Sequence, residues 1–89
     1  MVWQVEFDRR ALKSLDNLSA ANKLRVSRFI DERVLKADDP RKLGTALTGG
    51  LSGLWRYRVG DLRIVAKIID HRLVVLVVEV GHRREVYRR

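Results

Sequence analysis

Residues 2–7 alternate, with Trp3, Val5 and Phe7 on one side and Val2, Gln4 and Glu6 on the other. A period of two predicts a strand with one buried face. Asp8 follows and can cap a helix. Ala11, Leu12 and Leu15 then recur at helical spacing, which predicts a short helix to about Leu18. Ser19 is a second N-cap candidate, and from there to Ala37 the spacing is helical again. Val26, Phe29, Ile30 and Val34 form its apolar stripe, with Lys23, Arg25, Asp31, Glu32 and Arg33 largely outside it. Asp38-Asp39-Pro40 stops this helix, so the two segments make a helical hairpin. Residues 41–53 hold Gly44, Gly49, Gly50 and Gly53 and few large side chains, the composition of a mobile connection. Arg41 and Lys42 within it face either water or a phosphate.

Three β-rich runs follow: Leu54–Val59, Leu62–Ile69 and Leu73–Val80. Gly60-Asp61 between the first two is a two-residue hairpin signal, and a second turn falls near Asp70-His71-Arg72. Val74 to Val78 is apolar at every position, which predicts a central strand covered on both faces. Residues 81–89 are too polar for core. Strand, two helices and a three-stranded antiparallel meander give an α+β fold, and the chain reads as one domain over residues 1–89.

The first hairpin permits a sharper statement. A two-residue loop pairs Val59 with Leu62, and so sets Arg58 opposite Arg63, Tyr57 opposite Ile64 and Arg56 opposite Val65. Arg56, Arg58 and Arg63 then share a face. Like charges directly across a ladder repel, so three guanidinium groups gathered there call for an anion. Trp55 and Tyr57 fall on the other face, which makes them core candidates; stacking on unpaired bases is the other use of such aromatics. In the second hairpin a two-residue turn puts Val74, Leu76, Val78, Val80 and His82 on the Arg63 face, with Arg83 and Tyr87 just beyond. A three-residue turn reverses this.

Charge strengthens the arginine reading. Lys and Arg number 19 against 11 acidic residues, a net charge of +8 on 89 residues with a pI of about 10.8. Such a field attracts polyanions and releases their counterions on binding, and the planar guanidinium fork matches phosphate. The absence of cysteine excludes a disulfide scaffold, a thiolate metal site and a cysteine nucleophile, and fits a reducing cytoplasm. The N-terminus does not resemble a signal peptide, and the longest apolar run, Leu73 to Val78, is too short to cross a membrane. Two histidines without cysteine are too few for zinc. Glu6, Asp61, Asp70, Glu79 and Glu85 form no obvious carboxylate group for magnesium, so any nuclease chemistry is expected to be metal-free, with no cofactor.

The stretch Leu54-Trp-Arg-Tyr-Arg-Val-Gly-Asp-Leu-Arg-Ile-Val65, the ending Val77-Val-Glu-Val-Gly-His-Arg-Arg-Glu-Val-Tyr87 and the opening Val5-Glu-Phe-Asp with its Ala-Leu-Lys-Ser-Leu helix resemble the RelE/ParE superfamily of bacterial toxins over essentially the whole chain. The Val-Gly-His-Arg-x-x-Val-Tyr ending is more like the RelE branch. The resemblance implies a four-stranded antiparallel sheet with both helices on one face and a short C-terminal tail or helix. It implies a ribosome-dependent endoribonuclease that cuts translated mRNA and is held inactive by a cognate antitoxin. The implied reaction is attack of a ribose 2′-OH on the adjacent phosphate, leaving a 2′,3′-cyclic phosphate and a 5′-OH. Carried over by position, Arg63 and Arg83 would clamp the scissile phosphate. Arg56 and Arg58, where the family often has lysines, would stabilise developing charge. Tyr87 is the candidate base and His82 a second candidate, as acid or base; arginine cannot relay protons, so proton transfer falls to Tyr87, His82 or the ribosome itself. Lys67 and Arg84 join Arg56, Arg58 and Arg63 as RNA-binding candidates. The antitoxin is expected to lay an acidic or amphipathic segment over the basic face or a sheet edge. Two alternatives stand beside this: a ParE-like, non-enzymatic inhibitor of DNA gyrase, for which Tyr87 and His82 are dispensable, and a non-toxic basic nucleic-acid-binding module.

Overall fold

The computed structural model describes residues 2–82. Strand β1 (Gln4–Phe7) leads into helices α1 (Arg9–Asp16) and α2 (Ala20–Phe29), and strands β2 (Thr45–Ala46), β3 (Trp55–Val59), β4 (Leu62–Ile69) and β5 (Val74–His82) follow. Both predicted caps are in place: Asp8 accepts from the Ala11 amide and Ser19 from the Asn22 amide. The α2 ladder then widens into a π-turn over Ile30–Val34, where the Leu35 amide donates to the Ile30 carbonyl at 2.9 Å. The expected stripe lies against the sheet, Val26 and Val34 buried and Phe29 and Ile30 half-buried. Leu12 departs from expectation: Ala11 is buried beneath α1, while Leu12 is 49% exposed.

The five strands form one sheet in the order β1-β5-β4-β3-β2. β1 runs parallel to β5, from Gln4 opposite Val74 to Phe7 opposite Val77; the other pairs are antiparallel. The α+β class therefore holds, but the expected four-stranded antiparallel sheet is a five-stranded mixed one. Alternation sets a strand's faces, not its neighbour or direction, so the parallel pair was not legible locally. As expected, β5 is central, with β1 on one side and β4 on the other.

The fifth strand comes from the stretch expected to be mobile. Residues 40–51 are ordered as a 3₁₀ turn (Pro40–Leu43), β2 and a second 3₁₀ turn (Gly49–Leu51). Gly44 makes this possible by close approach: a Cβ there would lie 2.6 Å from the Arg56 carbonyl oxygen and 2.9 Å from the Tyr57 ring. Two donors fix the segment before it, Trp3 Nε1 to the Asp38 carbonyl at 3.2 Å and the Tyr57 hydroxyl to the Pro40 carbonyl at 2.9 Å. Arg41 is half-buried, and its guanidinium bonds Asp39 and Asp70.

The core lies between the helices and one face of the sheet, and includes Trp3, Ala11, Val26, Val34, Tyr57, Ile64, Val75, Val77 and Val80. Among the described residues no helix is long and apolar enough to cross a membrane.

Candidate nucleic-acid interface

The β3–β4 hairpin has the predicted register. Val59 pairs with Leu62, Arg58 with Arg63, Tyr57 with Ile64 and Arg56 with Val65. Gly60 has φ +59° and Asp61 does not join it in the left-handed region, the pattern of a type II′ turn. Arg56, Arg58, Arg63 and, four residues further on, Lys67 thus project from the face away from the helices. Arg58 and Lys67 are exposed, Arg56 is half-buried, and Arg63 is only 6% exposed. Arg63 Nη1 donates to the carbonyls of Gly60 (3.0 Å) and Leu62 (2.9 Å), which sets this guanidinium against the turn. Those two bonds offset part of the cost of facing a second arginine across the ladder.

Tyr57 belongs to the opposite, core face. It is 1% exposed, and its ring meets Phe29 at a centroid distance of 5.6 Å. Burial pushes its phenol up to about 12, with nearby Arg41 opposing and Asp39 adding to the shift. Its core reading is thus the observed one.

His82 does not join the arginines. The second connection is neither a two- nor a three-residue turn; a 3₁₀ turn (Asp70–Arg72) followed by Leu73 at φ +52° joins Ile69 to Val74. This keeps Val74 and Leu76 on the arginine face, as expected. The register then slips: Ala66 pairs with Val77 but Val65 pairs with Glu79, so Val78 is an extra residue in β5. A bulge reverses every later side chain. Val80 and His82 therefore face the helices, and Glu79 and Gly81 fall on the Arg63 face. His82 is exposed at the strand end, in a polar groove of about 390 Å³ beside Ser14, Asn17, Ser19 and Asn22 at the helical-hairpin turn. The predicted site residues Arg83, Arg84 and Tyr87 lie outside the described residues.

Two residues were missed. Glu79 is 7% exposed on the arginine face. Its Oε1 accepts from Arg10 Nη2 at 2.9 Å, an arginine of the first turn of α1 whose side chain is 55% exposed. The signal was available: without a bulge, Glu79 would fall in the core-facing column, where an unpaired carboxylate is costly.

This arrangement gathers Arg56, Arg58, Arg63 and Lys67 on one face of the sheet. A family model described as the ParE toxin of the type II toxin–antitoxin system parDE matches residues 5–87. The chain belongs to this ParE toxin family. The toxin family's wider RelE/ParE superfamily is seen in its fold. The structure of the RelBE2 toxin–antitoxin complex of Mycobacterium tuberculosis contains a chain that superposes with a TM-score of 0.85 at 25% identity, over 93% of this toxin and 100% of that chain. A doubly arginine-substituted E. coli RelE toxin bound to a peptide of its antitoxin RelB matches with a TM-score of 0.70 at 27% identity, over 92% and 84% of the two chains. The archaeal RelE–RelB complex of Pyrococcus horikoshii shares the fold, with a TM-score of 0.69 at 24% identity over 97% and 100%. No curated protein matches the sequence. As a member of its family, the protein is a toxin of the type II toxin–antitoxin class.

Proposed function

We propose that this toxin is a ribosome-dependent endoribonuclease that cuts translated mRNA without a metal, and that a cognate antitoxin of the RelB kind neutralises it. The observation that carries this is the single-faced set of Arg56, Arg58, Arg63 and Lys67, built on a RelE-like frame. In the reaction the 2′-oxygen forms a bond to phosphorus and the bond from phosphorus to the 5′-oxygen breaks. One proton leaves the 2′-OH and one reaches the departing 5′-oxygen, giving a 2′,3′-cyclic phosphate and a 5′-OH. Fixed cations that meet charge developing on the phosphoryl oxygens lower the barrier. Arg63 and Arg83 hold the scissile phosphate, and Arg56 and Arg58 stabilise that charge. Arg58, Lys67 and Arg84 bind the flanking RNA.

Proton transfer needs a different kind of residue, because arginine stays charged. Tyr57 is buried and donates to a backbone carbonyl. His82 faces the helices, across the sheet from Arg63. We take Tyr87 as the base, with the ribosome itself as the other source of proton transfer. Primer extension on a reporter mRNA translated in vitro tests the reading. Wild type should give cuts in phase with codons; Arg63→Ala should abolish them, Tyr87→Phe should weaken them strongly, and His82→Ala should leave them within a few-fold.

A second reading is favoured by the family model, whose description is ParE rather than RelE. A ParE-like toxin would bind DNA gyrase and inhibit it without cleaving RNA. Absence of cuts by active wild-type protein, together with loss of gyrase supercoiling, would replace the first reading by this one.

A further inference from the structure

We propose that Arg10 is an additional phosphate-binding residue of the arginine face and that buried Glu79 is the positioning residue that holds it there. This rests on reading that face as an RNA surface. β1 ends at Phe7 opposite Val77, so from Val78 onward β5 has no strand on that side. The first turn of α1 stands there instead, with the Asp8 amide bonded to the Val77 carbonyl at 3.0 Å. From this position Arg10 reaches Glu79, which the Val78 bulge has turned onto the face of Arg63. In the β4–β5 register Arg63 stands opposite Gly81 and Val65 opposite Glu79, so Glu79 is one diagonal step from Arg63. Diagonal neighbours across a ladder are within reach of long side chains.

The two ends of the ion pair differ in exposure. The Glu79 side chain is 9% exposed and that of Arg10 is 55% exposed. Glu79 takes one Nη of Arg10. The guanidinium carries five donors in a plane, so a fork anchored on one side still presents donors outward at a fixed angle. An arginine held by a buried carboxylate loses little further freedom when it meets a phosphate, which is the preorganisation that strengthens binding. Without its partner, Arg10 is a long, exposed side chain on a helix end.

Electrostatics gives this proposal a sharp test, because a carboxylate that merely sat near the site would repel RNA. The experiment uses free full-length toxin and a single-stranded RNA oligonucleotide with 2′-O-methyl groups, which binds but cannot be cut. Affinity is measured by fluorescence anisotropy across a salt series, well below the melting temperature of each variant. Arg10→Ala should weaken binding about tenfold, the loss expected of one charge-assisted contact, and lower the salt slope by about 0.7. Arg10→Lys should fall between. Glu79→Gln should also weaken binding, although it removes a negative charge. Lys13→Ala, an equal charge loss on the same helix, should change affinity less than about twofold, as a screened surface charge does.

Glu79→Gln binding as tightly as wild type, or more tightly, would overturn the positioning role. Arg10→Ala no weaker than Lys13→Ala would overturn the whole proposal, as would variants that melt lower yet bind normally per folded molecule. If Glu79→Gln does not fold, Arg10→Ala against Arg10→Lys decides. The outcome is separable from the nuclease reading: oligonucleotide affinities that shift as expected with no mRNA cuts would end that reading alone. Normal cuts with Arg10→Ala indistinguishable from Lys13→Ala would end this one alone.

Discussion

At Tyr57 one side chain closes the core and fixes the loop before β2. The hydroxyl donates to the Pro40 carbonyl in a buried setting, so Tyr57→Phe should cost about 1–2 kcal/mol by orphaning that acceptor. Burial also raises the phenol to about 12 in the folded chain, against about 10 in the unfolded one. The folded state thus holds the proton more tightly. The stability this confers is whole below about pH 10 and is lost as pH rises towards about 12. Chemical denaturation at increasing alkaline pH should show that loss in wild type and a flatter curve in Tyr57→Phe. Arg63 is the counterpart on the other face, legible as a paired arginine; its bonds to Gly60 and Leu62 depend on how the turn closes.

Among the elements, the β3–β4 hairpin was read from four residues, because a two-residue turn with glycine at its first position leaves a single register. β2 was not, because its two residues carry no periodic signal. It exists through the contact at Gly44, and Gly44→Ala should strain it: the added methyl would meet backbone at 2.6 Å, which cannot yield as a flexible side chain can. Destabilisation of about 1–3 kcal/mol is expected, read as a lower denaturant midpoint, with amide exchange rising first at Thr45 and Ala46. β5 is the instructive failure. Strict alternation carries His82 to the arginines, whereas the Val78 bulge sends it to the helix side and brings Glu79 in its place.

The whole molecule carries +8 on 89 residues, and the described part is about 32 × 30 × 22 Å. Much of that charge stands on one sheet face and on exposed helix positions such as Arg25 and Arg28. A neutralising antitoxin is therefore expected to present an acidic segment to it, and the complex should weaken as salt rises through the range where exposed charges are screened. Dissociation constants from calorimetry at two ionic strengths test this. A complex equally tight in both would mean that apolar contacts hold it and that charge sets only the rate of encounter.

From the amino-acid sequence alone came the order of the elements other than β2, both helix caps, the buried stripe of α2, the boundaries of β4 and the pairing of Arg58 with Arg63. Each follows from local periodicity, capping or a turn of fixed length, which act over a few residues. Only the tertiary structure decided that β1 lies parallel to β5, that the glycine-bearing stretch adds a strand, and that Glu79 rather than His82 shares the face of Arg63. Those depend on which segments meet. A single extra residue in a strand costs little locally but inverts every side chain after it, and the choice of where to place it is made by the partners: Arg10 for the carboxylate of Glu79, and the core for Val80.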